Sequence, residues 1–217
     1  CEKGISVSNI ANGTTRLQPV VLLTGQAAGA LAAVSLQQNI NVQDVSVTAV
    51  QKVLLTENVY LMPYSDVKHT DGAFKAVQWV GSWGIIKGIG KSVGWANKTY
   101  FKPDSLVTFS EISAGLNALV PLKFSSTLNS SDPVTTAVLF EMIAGFNKAV
   151  AKNSKAARAN KLSDSFLIAD QTYTNAGLAV PALTKTLTRK EASFILFQLA
   201  KGLDYLEKDL SGAVYFK

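Results

Sequence analysis

The longest apolar stretch of the chain runs from Pro19 to Leu36 and is broken only by Thr24, Gln26 and Ser35 and by small residues. Within it Gly25, Ala28, Gly29 and Ala32 recur at i, i+3, i+4 and i+7, which places them on one helix face almost without side chains. Pro19 suits the first turn of a helix, where a missing N–H costs nothing. The pattern therefore predicts a long apolar helix whose free N–H groups near Gln18, Pro19, Val20 and Val21, with the positive dipole end, favour an anionic or electron-rich partner. Arg16 stands just ahead of them. Upstream, Gly4 to Ile10 alternates and predicts a short strand with Ile5 and Val7 inward. A polar loop holding Asn9, Asn12, Gly13, Thr14, Thr15, Arg16 and Gln18 is expected between strand and helix.

Beyond a turn at Asn39 to Gln43, Asp44 or Ser46 can cap a second helix carrying Val47, Val50, Val53 and Leu54 and ending near Asn58. The pattern changes at Tyr64. Asp71 can cap a helix with Phe74, Val77, Gln78 and Gly81 on one side, and Gly84 and Gly88 permit a reversal. Thr108 with Glu111 makes a capping box for the next helix, and Thr188 with Glu191 makes another. A further helix begins at Thr135 after Asp132-Pro133, without the acid. Gly177-Leu178-Ala179 before Thr188 echoes Gly84-Ile85-Ile86 before Thr108, which predicts a degenerate internal repeat over about 164–203.

The totals narrow this picture. A chain of 217 residues that is 47% hydrophobic can bury one large core or two small ones. A net charge of +6 spread over only 17% charged residues is mild basicity and does not indicate nucleic acid. Cys1 is the only cysteine, so no intrachain disulfide forms. No targeting segment is legible. Although Gly25 and Gly29 match a GxxxG spacing, Gln26 lies mid-run, the run is short of the roughly 20 residues a span requires, and no basic cluster flanks it. The expectation is a buried helix and no transmembrane segment.

Most apparent chemistry dissolves on inspection. Gly90-Lys91-Ser92 resembles the end of a phosphate-binding loop, but the glycine that loop requires would stand at position 85, which is Ile85. His69 is the only histidine, and Asp66 and Asp71 nearby are too few for a metal or a triad; they read as turn and helix caps. Lys148, Lys152, Lys155, Arg158 and Lys161 form a basic run that reads as a solvated helix end, since no aromatic residues interleave with it. No metal site is expected.

The block TRLQPVVLLTGQAAGALAA with the preceding GISVSNIANG resembles the C-terminal flavin-contacting segment of FAD-dependent oxidoreductases, the group similar to fumarate reductases. The resemblance implies FAD as cofactor. Backbone groups of Gln18, Pro19, Val20 and Val21 would face the flavin pyrimidine edge, Arg16 would lie on the substrate side as the catalytic residue, and Asn9 and Asn12 would hydrogen-bond either. A second resemblance covers Tyr64 to Glu111. Ser65-Asp66-Val67, Ala76, Trp79, Gly84 to Gly88, Tyr100 to Asp104 and Val107-Thr108 look like an S-layer homology repeat. The Thr-Arg-Ala-Glu box of such repeats stands here as Thr108-Phe109-Ser110-Glu111, and only Thr188-Arg189-Lys190-Glu191 keeps the arginine.

The expected fold is mainly α. Residues 1–58 would contribute a short β-strand and the long buried helix of an incomplete flavin-binding domain, and residues 59–217 an all-α, S-layer-homology-like domain. The glycine-rich strand-turn-helix that holds the ADP part of FAD is not legible. The chain is therefore expected to be the C-terminal portion of an oxidoreductase, inactive alone, whose partners are a missing N-terminal dinucleotide-binding domain and a small-molecule substrate. The competing expectation is a non-catalytic cell-surface module that binds a glycan. An extracytoplasmic setting follows only by analogy with S-layer proteins.

Overall fold

A computed structural model describes residues 7–122, 124, 128–155, 157, 168–209 and 213–216. The chain is mainly helical and divides into two compact units, Cys1–Glu57 with Lys208–Ala213, and Asn58–Glu207 with Val214–Lys217.

In the first unit, α1 (Asn9–Thr15) precedes α2 (Gln18–Gln38), a 3-10 turn (Val42–Asp44) and α3 (Val47–Thr56). The expected polar loop is thus helical over Asn9 to Thr15. Ser8 explains why: its Oγ accepts from the Ala11 N–H at 3.2 Å and starts a helix that Asn, Gly and Thr would not favour by propensity. Of the expected strand, Ile5 lies outside the described residues, while Val7 and Ser8 are in no regular element.

Pro19 sits in the first turn of α2, and Asn39 closes the helix in the left-handed conformation (φ 53°), with the Ile40 N–H on the Ser35 carbonyl at 3.1 Å. Ser46 caps α3 through the Thr48 N–H at 3.1 Å, whereas Asp44 accepts from the Asn41 side chain instead. Val34, Val45 and Val50 form a small core, joined by Ala30, Leu31, Ala49 and Leu54. This corrects the expectation of a buried helix. Only Val34 and Ser35 of α2 are buried, and Leu22, Leu23 and Leu36 stand exposed, because α3 and the 3-10 turn cover one side of its C-terminal half. By length and composition α2 could cross a membrane, with a mean hydropathy of 1.6 over 18 residues.

The second unit contains α4 (Phe74–Ser82), a hairpin of β1 (Ile89–Val93) and β2 (Ala96–Tyr100), α5 (Phe109–Leu119), α6 (Thr136–Asn153), α7 (Asp170–Asn175) and α8 (Arg189–Leu199). A 3-10 turn (Lys201–Tyr205) follows, and β3 (Leu206–Lys208) pairs with β4 (Val214–Phe216). The two hairpins correct the all-α expectation. Five-residue runs flank Gly94, whose φ of 59° is what a tight turn requires, so local turn chemistry forms a hairpin where a loop is expected.

Three extended segments organise this unit. The Val107 N–H donates to the Leu187 carbonyl, Leu187 N–H to Val134, and Val134 N–H to Val107, at 3.0, 2.9 and 3.0 Å. The ring closes on itself. Each of these residues is fully buried and precedes a threonine that caps a helix: Thr108 for α5, Thr135 for α6 and Thr188 for α8. Thr108 and Thr188 form complete capping boxes with Glu111 and Glu191.

The echo between Gly84 and Gly177 also has a geometry. Both are left-handed (φ 72° and 66°), and the next residue reaches back five positions, Ile85 N–H to Val80 and Leu178 N–H to Tyr173, at 3.1 and 2.9 Å. Gly88 is different, since its φ is not positive. A Cβ there would lie 2.5 Å from the Tyr64 ring and 2.6 Å from the Thr99 methyl, so packing rather than chain reversal demands glycine. Gln78, fully buried, accepts the Leu61 and Met62 N–H groups at 2.8 and 2.6 Å and ties the entry segment to α4.

Candidate functional site

The flavin-type site expected around the start of α2 is a surface elbow. Asn9 opens α1, Asn12 lies one turn on, and the Arg16 N–H still donates to the Asn12 carbonyl at 3.1 Å. Asn9, Asn12 and Arg16 thus follow one another at helical spacing on one side of α1, all exposed. Leu17 then turns the chain with extended backbone (φ −68°, ψ 136°) and starts α2 with no side-chain cap. Gln18 and Pro19 are exposed, and Val20 and Val21 are half-buried.

The four positions do not contribute equally. Val20 and Val21 N–H groups both donate to the Leu17 carbonyl, at 2.9 and 3.0 Å, and Pro19 has no N–H. Gln18 carries the donor that Leu17 does not take up. An uncapped helix start with an arginine beside it suits a partially negative edge, because dipole and charge act in the same direction. Farther along, Gly25 and Gly29 have nothing within 4 Å of where a Cβ would stand, so the small-residue face of α2 is open.

The family model for FAD dependent oxidoreductases matches residues 1–54. The match covers α1, α2 and most of α3 and supports a flavin-dependent oxidoreductase region at the N-terminal end, with FAD dependence. No curated protein and no solved structure matches the chain.

In the second unit the residues that looked chemical serve the fold. Asp66 accepts the Phe101 and Lys102 N–H groups, both at 2.7 Å, and Asp71 accepts the Ala73 N–H at 3.0 Å ahead of α4. His69 stands edge-on to Tyr60 with ring centroids 6.2 Å apart. Gly90, Lys91 and Ser92 belong to β1 rather than to a loop entering a helix. Of the basic run, Lys148 and Lys152 lie on α6, Lys155 follows its C-cap Ser154, and Arg158 and Lys161 lie outside the described residues. Among the described residues no three His, Cys, Asp or Glu side chains converge as a metal site.

Arg189 carries the most concentrated electrostatics of this unit. It is buried, donates from Nε to the Phe101 carbonyl at 2.6 Å and from Nη2 to the Lys87 carbonyl at 2.5 Å, and pairs through Nη1 with Glu111. Its guanidinium lies 4.9 Å from the centre of the Phe101 ring. Arg189, which lies within the Thr188–Glu191 capping box, is therefore spent inside the protein, joining the start of α8 to the start of α5. Tyr64, packed on Phe101, has its hydroxyl pushed up to about 12 by burial, against an opposing pull from the Arg189 charge.

Proposed function

We propose that this chain is the C-terminal portion of an FAD-dependent oxidoreductase, similar to fumarate reductases, with an appended S-layer-homology-like helical domain beginning near residue 59. The observation that carries the reading is the coincidence of the family match over residues 1–54 with an uncapped, solvent-facing start of α2. The residues fit one edge of a flavin only. Gln18 would donate its N–H to the pyrimidine edge, and Pro19, Val20 and Val21 would hold the helix start against it. Bound flavin supplies the two-electron chemistry. Arg16 would bind and orient an anionic substrate, and Asn9 and Asn12 would hydrogen-bond substrate or flavin from the same side of α1. The open face at Gly25, Ala28 and Gly29 would pack against a dinucleotide-binding domain that holds the phosphates and adenosine.

The S-layer-like reading of the second unit draws on its three threonine-capped helices around one ring of backbone hydrogen bonds. The competing glycan-binding reading is weaker, because Arg189 faces Glu111 and two carbonyls rather than solvent. A polypeptide that carries a dinucleotide-binding domain ahead of this chain is expected to purify with FAD, and Arg16→Ala to reduce turnover about 10²-fold while FAD stays bound. Full turnover by Arg16→Ala would remove Arg16 from the mechanism. Specific retention of a cell-wall glycan by a colourless product would favour the surface module.

A further inference from the structure

The β1–β2 hairpin makes no use of its own most costly features. Its register pairs Ile89 with Tyr100, Gly90 with Thr99, Lys91 with Lys98, Ser92 with Asn97 and Val93 with Ala96. Side chains alternate across a strand, so one face holds Ile89, Tyr100, Lys91, Lys98, Val93 and Ala96, and the other only glycine, threonine, serine and asparagine. Two lysines directly opposite each other repel, and neither is in an ion pair among the described residues. Between Gly72 and Pro103 the sequence carries Lys87, Lys91, Lys98 and Lys102 and no Asp or Glu, and the acid at the base of the hairpin, Asp66, is taken up by the Phe101 and Lys102 N–H groups. At the tip Trp95 is fully exposed, and Ile89 and Val93 are exposed as well.

We propose that this hairpin is a docking device for the surface of an anionic lipid bilayer. Trp95 at the turn reaches the headgroup level, where an indole finds apolar contact and a hydrogen-bond acceptor together. Val93 and Ile89 follow on the same face, and the Lys91–Lys98 pair exchanges mutual repulsion for attraction to anionic headgroups. A glycan or other acidic polymer would answer the lysines but offers no apolar medium for Ile89 and Val93, which stand exposed beside Trp95.

The test uses the whole chain with vesicles of phosphatidylcholine alone and of phosphatidylcholine with about 30% phosphatidylglycerol. Trp79 and Trp83 are buried, so a blue shift on binding and quenching by brominated lipid report Trp95. Binding is expected only with phosphatidylglycerol and is expected to weaken with salt. Trp95→Ala should weaken it about tenfold, and Lys91→Gln with Lys98→Gln about twenty-five-fold, at roughly fivefold per lysine. Leu22→Gln with Leu36→Gln on α2 separates binding by that helix. The proposal is overturned if the chain ignores both vesicles, if either hairpin substitution leaves the affinity unchanged, if only the α2 substitutions weaken it, or if the chain is held by heparin and not by vesicles.

Discussion

Replacing Arg189 by Ala tests how the second unit is held together. The guanidinium makes hydrogen bonds to two carbonyls and one carboxylate from a position that is 3% exposed. Removing it leaves the Lys87 and Phe101 carbonyls without that donor and the Glu111 carboxylate without its counter-charge. Breaking a buried pair by deleting one partner costs about 3–5 kcal/mol, and each charged hydrogen bond contributes about 1.5–3 kcal/mol. Glu111 is 32% exposed and keeps the Thr108 N–H, so water can re-solvate part of its charge and the cost falls near the lower end, about 3–4 kcal/mol. Urea unfolding followed by the fluorescence of buried Trp79 and Trp83 reads this unit. Arg189→Met restores packing on Phe101 but not the donors, and should still lose about 2 kcal/mol. In a double-mutant cycle Glu111→Gln should couple to Arg189→Met by about 1 kcal/mol or more. A loss under about 1 kcal/mol for Arg189→Ala would refute the reasoning, because an exposed and water-satisfied arginine behaves that way.

Two further outcomes follow from the same unit. Gly88→Ala should destabilise it by about 1–3 kcal/mol in urea, since its Cβ meets the Tyr64 ring and the Thr99 methyl, whereas Gly90→Ala, with nothing within 4 Å, should change stability by less than about 0.5 kcal/mol. Equal effects would show that the Tyr64 cradle does not exist. Burial opposes the ionised form of Glu191, but hydrogen bonds from Lys185 at 2.5 Å and from Thr188 outweigh it and hold the carboxyl below its usual value. Stability from this group is present above the ordinary carboxylate pKa and is lost as pH falls through the lowered folded value. Melting temperature should therefore drop on acidification below about pH 4.5, with a shallower slope in Glu191→Gln; identical slopes would contradict the assignment.

How much of this was legible in the sequence depends on the range of the interactions. The capping boxes at Thr108 and Thr188, the start at Thr135, the cap at Ser46 and the Pro19 start of α2 are set within four residues and could be read directly. The ring through Val107, Val134 and Leu187 is held by bonds between distant segments, and no local pattern announces it. Arg189 was legible as a surviving box residue but not as a buried clamp, since Lys87, Phe101 and Glu111 lie about 80–100 residues away. Over α1 the residue types Asn, Gly and Thr signal a loop, and the starting cap at Ser8 outweighs them. The β1–β2 hairpin carried little local signal beyond Gly94, because neither Ile89–Val93 nor Ala96–Tyr100 alternates apolar and polar residues. At the candidate flavin site, sequence located the helix start, but only hydrogen bonding singled out Gln18 among its four positions.

The central claim, that the start of α2 serves the pyrimidine edge of a flavin, is tested most directly by the reduction potential of bound FAD in the longer polypeptide with Gln18→Pro. Proline is tolerated in the first helical turn, so the substitution removes one N–H and leaves the helix. Loss of a hydrogen bond to the negatively charged reduced ring, about 1.5–3 kcal/mol, should lower the two-electron midpoint potential by about 30–60 mV. An unchanged potential with FAD fully bound would contradict the account.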